Sequence, residues 1–393
     1  MTASATFDKG LAPSERELIS RASGFGQQNL RNKERLETEE HRRLLTNACA
    51  QGLAGIEVPA RVGGAEASFS TRLRVCEELA FCHAGFAFSL VNHHNTVSRI
   101  AQSGTPVLQS QLVAAMLNGD QFGCTAMTEP QSGSDFTSMS TRAVKKGDSW
   151  VLTGKKSWIT NASLANVYLV YAQTDPEKGS EGIAGFIVLA DDKGFCRGAP
   201  YKASGIEGMG VGEFSLNECV VPVERLLYPP GQGFRAAMRG VNQARAHVAA
   251  INAAMIERAV SEAFQYAEQR QAFGKPVIEF QGLAWSLASV ATELQAMRLL
   301  AYTAAKTIDS GEDAQVIAAM AKKYANDHSV QSIATCLQAM GAQGITDDAG
   351  LSQLMARAKA FCYTDGTPEM MNERIVRLMR KQQKSRSNLN AIR

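Results

Sequence analysis

No stretch of this 393-residue sequence reaches the roughly 20 consecutive apolar residues that a helix needs to cross a bilayer. A membrane-spanning protein is therefore not expected. The eight cysteines (Cys49, Cys76, Cys82, Cys124, Cys196, Cys219, Cys336 and Cys362) lie far apart and form no CxxC pair. They read as reduced thiols packed as small hydrophobic groups. Neither charge sign dominates: 41 Lys and Arg face 38 Asp and Glu, for a net +3. Spread along the chain, these residues make neither a nucleic-acid patch nor a polybasic membrane anchor. Met1–Ser20 has no apolar run and carries Asp8, Glu15 and Glu17, which argues against a transit peptide. A cytoplasmic protein is the expectation.

Several motifs of chemistry are also missing. There is no Walker lysine motif, no HExxH and no GxSxG. His93-His94 has no partners at metal-ligand spacing, so no metal is expected. Gly231-Gln-Gly233-Phe-Arg-Ala236 fits G-x-G-x-x-A but follows a Pro-Pro turn, with no βαβ unit around it. It reads as a helix start. Asn161-Ala-Ser163 fits a glycosylation acceptor that a cytoplasmic chain would not use.

What is present falls into three textures, expected as domains over 1–121, 122–232 and 233–393. The first is helical: Leu44, Leu45, Ala48 and Leu53 suit one helix ending near Gly52–Gly55, and Leu73, Val75, Cys76, Leu79 and Ala80 suit another. Arg61–Gly64 reads as a loop. The second has short β-prone runs at Trp150–Leu152, Ser157–Thr160, Val167–Tyr171 and Ala184–Leu189, separated by turn residues. Pro229-Pro230-Gly231 closes it. The third returns to helical spacing in three sets: Val248, Ile251, Met255, Ile256, Val260; Leu283, Leu287, Val290, Leu294, Met297; and Val316, Met320, Tyr324, Val330, Ile333. Gly311 and Gly341 sit where C-caps are expected. Long apolar-faced helices on short loops predict a bundle.

One constellation carries chemical information. Met127-Thr-Glu-Pro-Gln-Ser-Gly-Ser-Asp135 offers backbone amides and hydroxyls around Gly133 and Ser134. Leu152-Thr-Gly-Lys-Lys-Ser-Trp-Ile-Thr-Asn161 adds an indole, Trp158, beside the Thr160 hydroxyl. Donors next to a large flat ring suit a planar heterocycle with polar edges, such as a flavin. A Gly/Ser turn beside a core tryptophan would give the same pattern.

These two segments resemble the signature of the acyl-CoA dehydrogenase family, M-T-E-P-x-x-G-S-D and G-x-K-x-W-I-T-N. Arg270-Gln-Ala-Phe-Gly274, followed by Phe280-Gln281, resembles the family's R-x-x-F-G, and Gln338-Ala-Met-Gly-Ala-Gln-Gly344 resembles its Q-x-x-G-x-x-G. The four matches come in family order and span the chain. The resemblance implies a mainly α, α+β fold: an N-terminal helical domain, a middle β-barrel or sandwich domain and a C-terminal four-helix bundle, usually in a homotetramer. It implies FAD between the β domain and the bundle, lined by Met127, Thr128 and Ser134, with Trp158 and Thr160 holding the flavin ring. It further implies that Arg270, Phe273, Gln338 and Gly341 contact the pyrophosphate and adenosine, partly across subunits, with Thr367 and Glu369 also on the cofactor. Ser134, Arg245 and Gly366 fall at positions that meet the substrate.

The family removes a proton α to a thioester carbonyl and passes the β hydride to the flavin, which requires a carboxylate base in a dry site. Many members carry that base as Glu in Y-E-G-T. Here the run is Tyr363-Thr-Asp-Gly-Thr367, which places Asp365 there. A second branch places its Glu just before an arginine, where this sequence has Ala244 before Arg245. A turn-forming Asp before Gly is the plainer reading of Asp365. Asp is shorter than Glu by roughly 1.5 Å of reach, large against the 2.6–3.2 Å of proton transfer. Nitroalkane oxidases resemble this family and use Asp, which keeps a flavin oxidase as the alternative. Arg245 resembles the arginine that meets CoA-bearing substrates and favours the thioester. Ile206-Glu-Gly-Met-Gly-Val-Gly212 replaces a more polar run and points to an unusual acyl group, cyclic or polar. The expected partners are an acyl-CoA or acyl-carrier thioester and an electron-transfer flavoprotein, with neither nucleic acid nor membrane.

Overall fold

The computed structural model describes residues 7–31, 33 and 35–392, with side chains at all of these except 382 and 384–392. Residues 1–6, the start of the stretch read as lacking a targeting signal, lie outside the described residues. The chain forms two compact units, one of residues 8–240 and one of Phe7 with residues 241–392.

The first unit opens with helices α1 (Pro13–Asn29), α2 (Thr38–Ala50), α3 (Phe69–Ser103) and α4 (Pro106–Asn118). Their ends follow from local chemistry. Ser68 caps α3 by accepting from the Thr71 amide. Thr105 caps α4 in the same way from Leu108, Pro106 opens it, and Gly119 closes it in the left-handed region. The α3 ladder breaks at His83 (φ −155°, ψ 96°), where the ring nitrogen accepts the Phe86 amide in place of a backbone carbonyl. Leu44, Leu45 and Ala48 are buried in α2 as expected, while Leu53 is buried in the turn after it.

Eight strands follow: β1 (Gly123–Ala126), β2 (Arg142–Lys146), β3 (Ser149–Ile159), β4 (Val167–Gln173), β5 (Ile183–Leu189), β6 (Phe195–Pro200), β7 (Gly212–Pro222) and β8 (Leu226–Tyr228). They form one mixed sheet in the order β6-β7-β3-β2-β4-β5-β8, with β1 on β4. One edge of β4 is shared. Gly123–Ala126 pair with Val167–Val170 in parallel, and Arg142 pairs with Gln173 beyond them. Alternation sorts β4 and β5 between two cores. Tyr168, Val170, Phe186 and Val188 pack with Leu152, Phe214 and Leu216 inside the folded sheet. Val167, Leu169, Tyr171 and Ile187 pack on Val97, Ile100, Leu112 and Met116 of the helices. The two β-prone runs at 150–152 and 157–160 belong largely to one strand, β3, and the sequence pattern had not marked β1, β2, β6, β7 or β8.

The second unit carries α5 (Gly233–Gln269, which begins in the first unit), α6 (Gln281–Asp309), α7 (Gln315–Met340), α8 (Leu351–Phe361) and α9 (Pro368–Ile392). A two-stranded hairpin, β9 (Gln271–Ala272) with β10 (Lys275–Pro276), joins α5 to α6. In α5 the expected face is largely the buried one: Val248, Ile251, Met255 and Ile256 are fully buried and Val260 is half-buried. In α7 it is not. Met320 is exposed, Val316, Tyr324 and Val330 are half-buried, and the inward face is Ala318, Lys322, Ala325, Asn326, Ser329 and Ile333. Small side chains let the neighbouring helices approach that face closely, leaving the larger apolar groups outside.

Candidate active site

In the first unit the two informative segments are brought together around one buried ion pair. Lys156 of β3 and Glu129 of the loop after β1 meet at 2.9 Å, both side chains fully buried. Lys156 also donates to the Met127 carbonyl at 3.0 Å, and the Ser157 amide donates to the Thr128 carbonyl at 3.1 Å. Glu129 accepts further from the Ser140 amide (2.6 Å), the Ser140 hydroxyl (2.7 Å) and the Thr141 amide (3.0 Å). Burial works to raise the Glu129 pKa, but the Lys156 ammonium and these donors outweigh it and hold it at about 2. Burial pulls Lys156 down to about 8, against the attraction of Glu129. Both are charged at neutral pH. Gly154 belongs to the same device: a Cβ there would stand 2.7 Å from the Thr141 Cα.

The register of β3 on β7 shifts between Lys156 and Ile159. At this bulge Trp158 adopts φ +57° and its indole stands 60% exposed, beside Tyr201 at a ring separation of 4.6 Å. A bulge turns a side chain out of the pleat, and a large residue at positive φ is rare enough to need holding there. The holding comes from both sides. Lys156 anchors one, and on the other Asn161 (φ +65°) is fully buried, donating to the Ser89 carbonyl at 2.8 Å and accepting from the Ser89 hydroxyl at 2.6 Å. Trp158 is thus a surface plate and not a core residue, and Asn161 cannot carry a glycan. Thr160, Met127 and Thr128 are half-buried nearby in sequence, while Gly133 and Ser134 are exposed on the loop.

In the second unit Asp365 lies in the turn between α8 and α9 with φ +52°, followed by Gly366 at φ +99°. Buried Arg245 of α5 donates through Nε to the Asp365 carbonyl at 3.2 Å and through Nη1 to Asn242 at 3.1 Å. Burial lowers the Arg245 pKa to about 10, so it stays cationic. Thr367 caps α9: its hydroxyl accepts the Met370 amide at 3.4 Å, and Glu369 stands exposed in the first turn. Arg245 and the Asp365–Glu369 segment therefore form one group.

The other expected cofactor residues of this unit lie at helix ends away from that group. Arg270 and Phe273 stand exposed at the hairpin end of α5, with Phe273 95% exposed at φ +52°. Arg270 is about 35 Å along the helix from Arg245, at 1.5 Å per residue. Gln338 and Gly341 are exposed at the end of α7, about 24 Å beyond Lys322 by the same rise. Gly341 ends α7 at φ 59°, ψ −139°, outside the left-handed cap expected of it. Gly311 follows the α6 cap residue Ser310 at φ +75°.

His93 and His94 are structural. His93 accepts the Gly123 amide on Nδ1 at 3.0 Å and reaches the Met116 carbonyl from Nε2 at 2.9 Å. Burial lowers its pKa to about 4, so it stays neutral. His94 accepts the Glu57 amide at 3.1 Å. Among the described residues no cluster of three His, Cys, Asp or Glu could hold a metal, and no helix is long and apolar enough to cross a membrane. None of the eight cysteines, all among the described residues, forms a disulfide, and seven of them are buried.

Sequence models of the acyl-CoA dehydrogenase N-terminal, middle and C-terminal domains match residues 12–120, 124–219 and 231–379 in that order. The chain belongs to the acyl-CoA dehydrogenase family. It is 33% identical over 328 residues to an acyl-CoA dehydrogenase of Bacillus subtilis, covering 83% of this chain and 86% of that one. The butyryl-CoA dehydrogenase of Megasphaera elsdenii superposes with a TM-score of 0.89 at 29% identity, covering 95% of this chain and 99% of that one. PigA, seen with FAD and proline, superposes with the same score at 25% identity and the same coverage. The fold is the three-domain, mainly helical fold of the family with its central sheet domain, and the protein is a flavin oxidoreductase with FAD as cofactor. The residues fit that group: an indole held out of its strand at positive φ, flanked by a hydroxyl and a loop of exposed amides and hydroxyls, is a platform for a flat, polar-edged ring.

Sequence reasoning missed three residues. Glu129 and Lys156 lay inside the quoted motifs, but Asp135 in one run and Lys155 in the other gave no local sign of which charges would be buried together. Lys322, taken up below, had a faint signal: a lysine set among Ala318, Ala319, Ala321 and Ala325.

Proposed function

We propose that the protein dehydrogenates an acyl thioester between its α and β carbons, with Asp365 as the base. The observation that carries this reading is the Asp365 turn, held at positive φ by a buried arginine that donates to its backbone. Strained residues gather at reacting sites, and Asp365 is the carboxylate at the family's base position. Asp365 would take the α proton, and the β hydrogen would leave with its electron pair as hydride, so that a double bond forms between the α and β carbons. FAD, when bound, supplies the two-electron acceptor. Trp158 and Thr160 carry the ring, Met127, Thr128 and Ser134 line it, and Thr367 and Glu369 also meet the cofactor. Arg245 and Gly366 face the substrate, with Ser134. Electrons then pass to an electron-transfer flavoprotein.

The thioester carrier is CoA in this reading. A homotetramer is also proposed. Trp285 and Leu299 of α6 and Met320 of α7 are exposed apolar groups on the bundle, and the long axial gap between Arg245 and Arg270 suits cofactor contacts that one chain supplies at two places. Eight cysteines without a disulfide support a reducing, cytoplasmic setting.

The test is anaerobic reduction of the FAD-loaded protein, followed by absorbance, with a panel of acyl-CoAs beside nitroethane. Bleaching by an acyl-CoA supports the proposal. Bleaching by nitroethane alone replaces it with a nitroalkane oxidase that uses the same Asp365.

A further inference from the structure

Lys322 is fully buried about two turns into α7. Its ammonium donates to the carbonyl of Gly366 and to that of Cys362 at 3.4 Å. Two consecutive carbonyls, Asp365 and Gly366, thus each take a bond from a different buried cation, Arg245 and Lys322. We propose that Lys322 is a positioning residue for the reaction, fixing the Asp365–Gly366 turn from beneath so that the short carboxylate is presented in one place. This rests on the reading of Asp365 as the base.

Three considerations carry it. First, the turn does not hold itself. Asp365 and Gly366 are both at positive φ, and a non-glycine residue there is disfavoured by about 1–2 kcal/mol. Second, the peptides are trans, so a carbonyl and the amide N–H of the next residue point in opposite directions. Fixing the Asp365 and Gly366 carbonyls on the cations sets where the Gly366 and Thr367 amides point. Third, aspartate has one torsion fewer than glutamate and roughly 1.5 Å less reach, so its carboxylate position follows the backbone more closely. A base this short tolerates little movement of its turn, because proton transfer needs heavy atoms about 2.6–3.2 Å apart.

The charges agree with the geometry. Burial pulls the Lys322 pKa down to about 8, the Asp365 carboxylate opposes this, and Arg245 adds to it. A buried lysine serving only the end of α8 would need the Cys362 carbonyl alone. The bond to Gly366 is what a positioning role requires.

The test compares Lys322→Met, Lys322→Gln and Lys322→Arg with Asp365→Asn in the FAD-loaded full chain. It uses the acyl-CoA that bleaches the wild-type flavin fastest. The expected result for Lys322→Met is a fall in the rate of flavin reduction of about 10²-fold with KM within about twofold, FAD content retained, and partial recovery in Lys322→Arg. This is the range of a misplaced general base. Amide hydrogen exchange over residues 362–367, followed by mass spectrometry, is expected to quicken. Wild-type rates in Lys322→Met, with Asp365→Asn inactive, would overturn the positioning role and leave the base in place. Wild-type rates in Asp365→Asn would remove the base itself. Loss of FAD or of the folded state in all three Lys322 variants would assign the lysine to folding alone and also overturn the proposal.

Discussion

Lys156 and Glu129 form an ion pair at 2.9 Å with both side chains fully buried, joining the loop after β1 to the strand that carries Trp158. The pair lies between the two segments expected to meet the flavin, and Lys156 reaches the Met127 carbonyl as well. It therefore sets the register of one against the other.

Breaking one partner leaves the other buried and charged, which destabilises by about 3–5 kcal/mol. Lys156→Met is expected to lower the denaturation free energy by that much, and to weaken FAD retention in parallel. The Lys156→Met/Glu129→Leu double variant is expected to lose less than the two single losses added together. Urea unfolding of all three chains checks this. Additive losses would mean that the pair is not coupled.

Acid should act through the same carboxylate. Glu129 titrates near 2 in the folded protein against a usual value of 4.5, so between these values the unfolded chain binds more protons. The stabilisation is complete above about pH 4.5 and is lost as pH falls through 2. Glu15 adds a similar contribution, also near 2: burial works to raise its pKa, but donors including the Thr71 hydroxyl outweigh it. The urea midpoint of the wild type is expected to fall steeply from pH 4.5 downward. It should fall less steeply in Glu129→Gln, which starts lower.

Trp158 separates cofactor binding from stability. Its side chain is largely exposed and its backbone is at positive φ, so Trp158→Gly removes little packing and relieves strain of about 1–2 kcal/mol. The apoprotein melting temperature is expected to hold or rise while FAD affinity falls. A melting point that drops with unchanged FAD binding would show a structural indole only.

Asp365→Asn keeps the shape of the turn and removes the base. The rate of flavin reduction is expected to fall by about 10²–10⁴-fold with FAD still bound, the usual contribution of a positioned base. Gly366→Ala should also be harmful. At a φ of +99° an added Cβ strains the backbone, while its 2.9 Å approach to the Met371 methyl can be relieved by that flexible side chain. Stopped-flow absorbance on both variants reads these outcomes.

Much of this protein was legible in the order of its residues. The face Val248, Ile251, Met255, Ile256 of α5 is buried as its spacing predicts, because apolar groups of similar size on one stripe have one way to leave water. Flavin chemistry was legible from four short segments, since the residues that meet a cofactor are constrained in identity and not only in polarity. The same spacing argument failed on α7. There, packing at close range chose alanines, Asn326 and Lys322 for the inside over Val316, Met320 and Tyr324, and periodicity does not weigh side-chain volume against helix approach. Only the tertiary structure decided that Trp158 stands outside its strand. It alone paired Lys156 with Glu129 across 27 positions, and it alone set two buried cations beneath the Asp365 turn. A charge is buried only where a partner from elsewhere in the chain meets it, and that meeting is written in no local stretch of sequence.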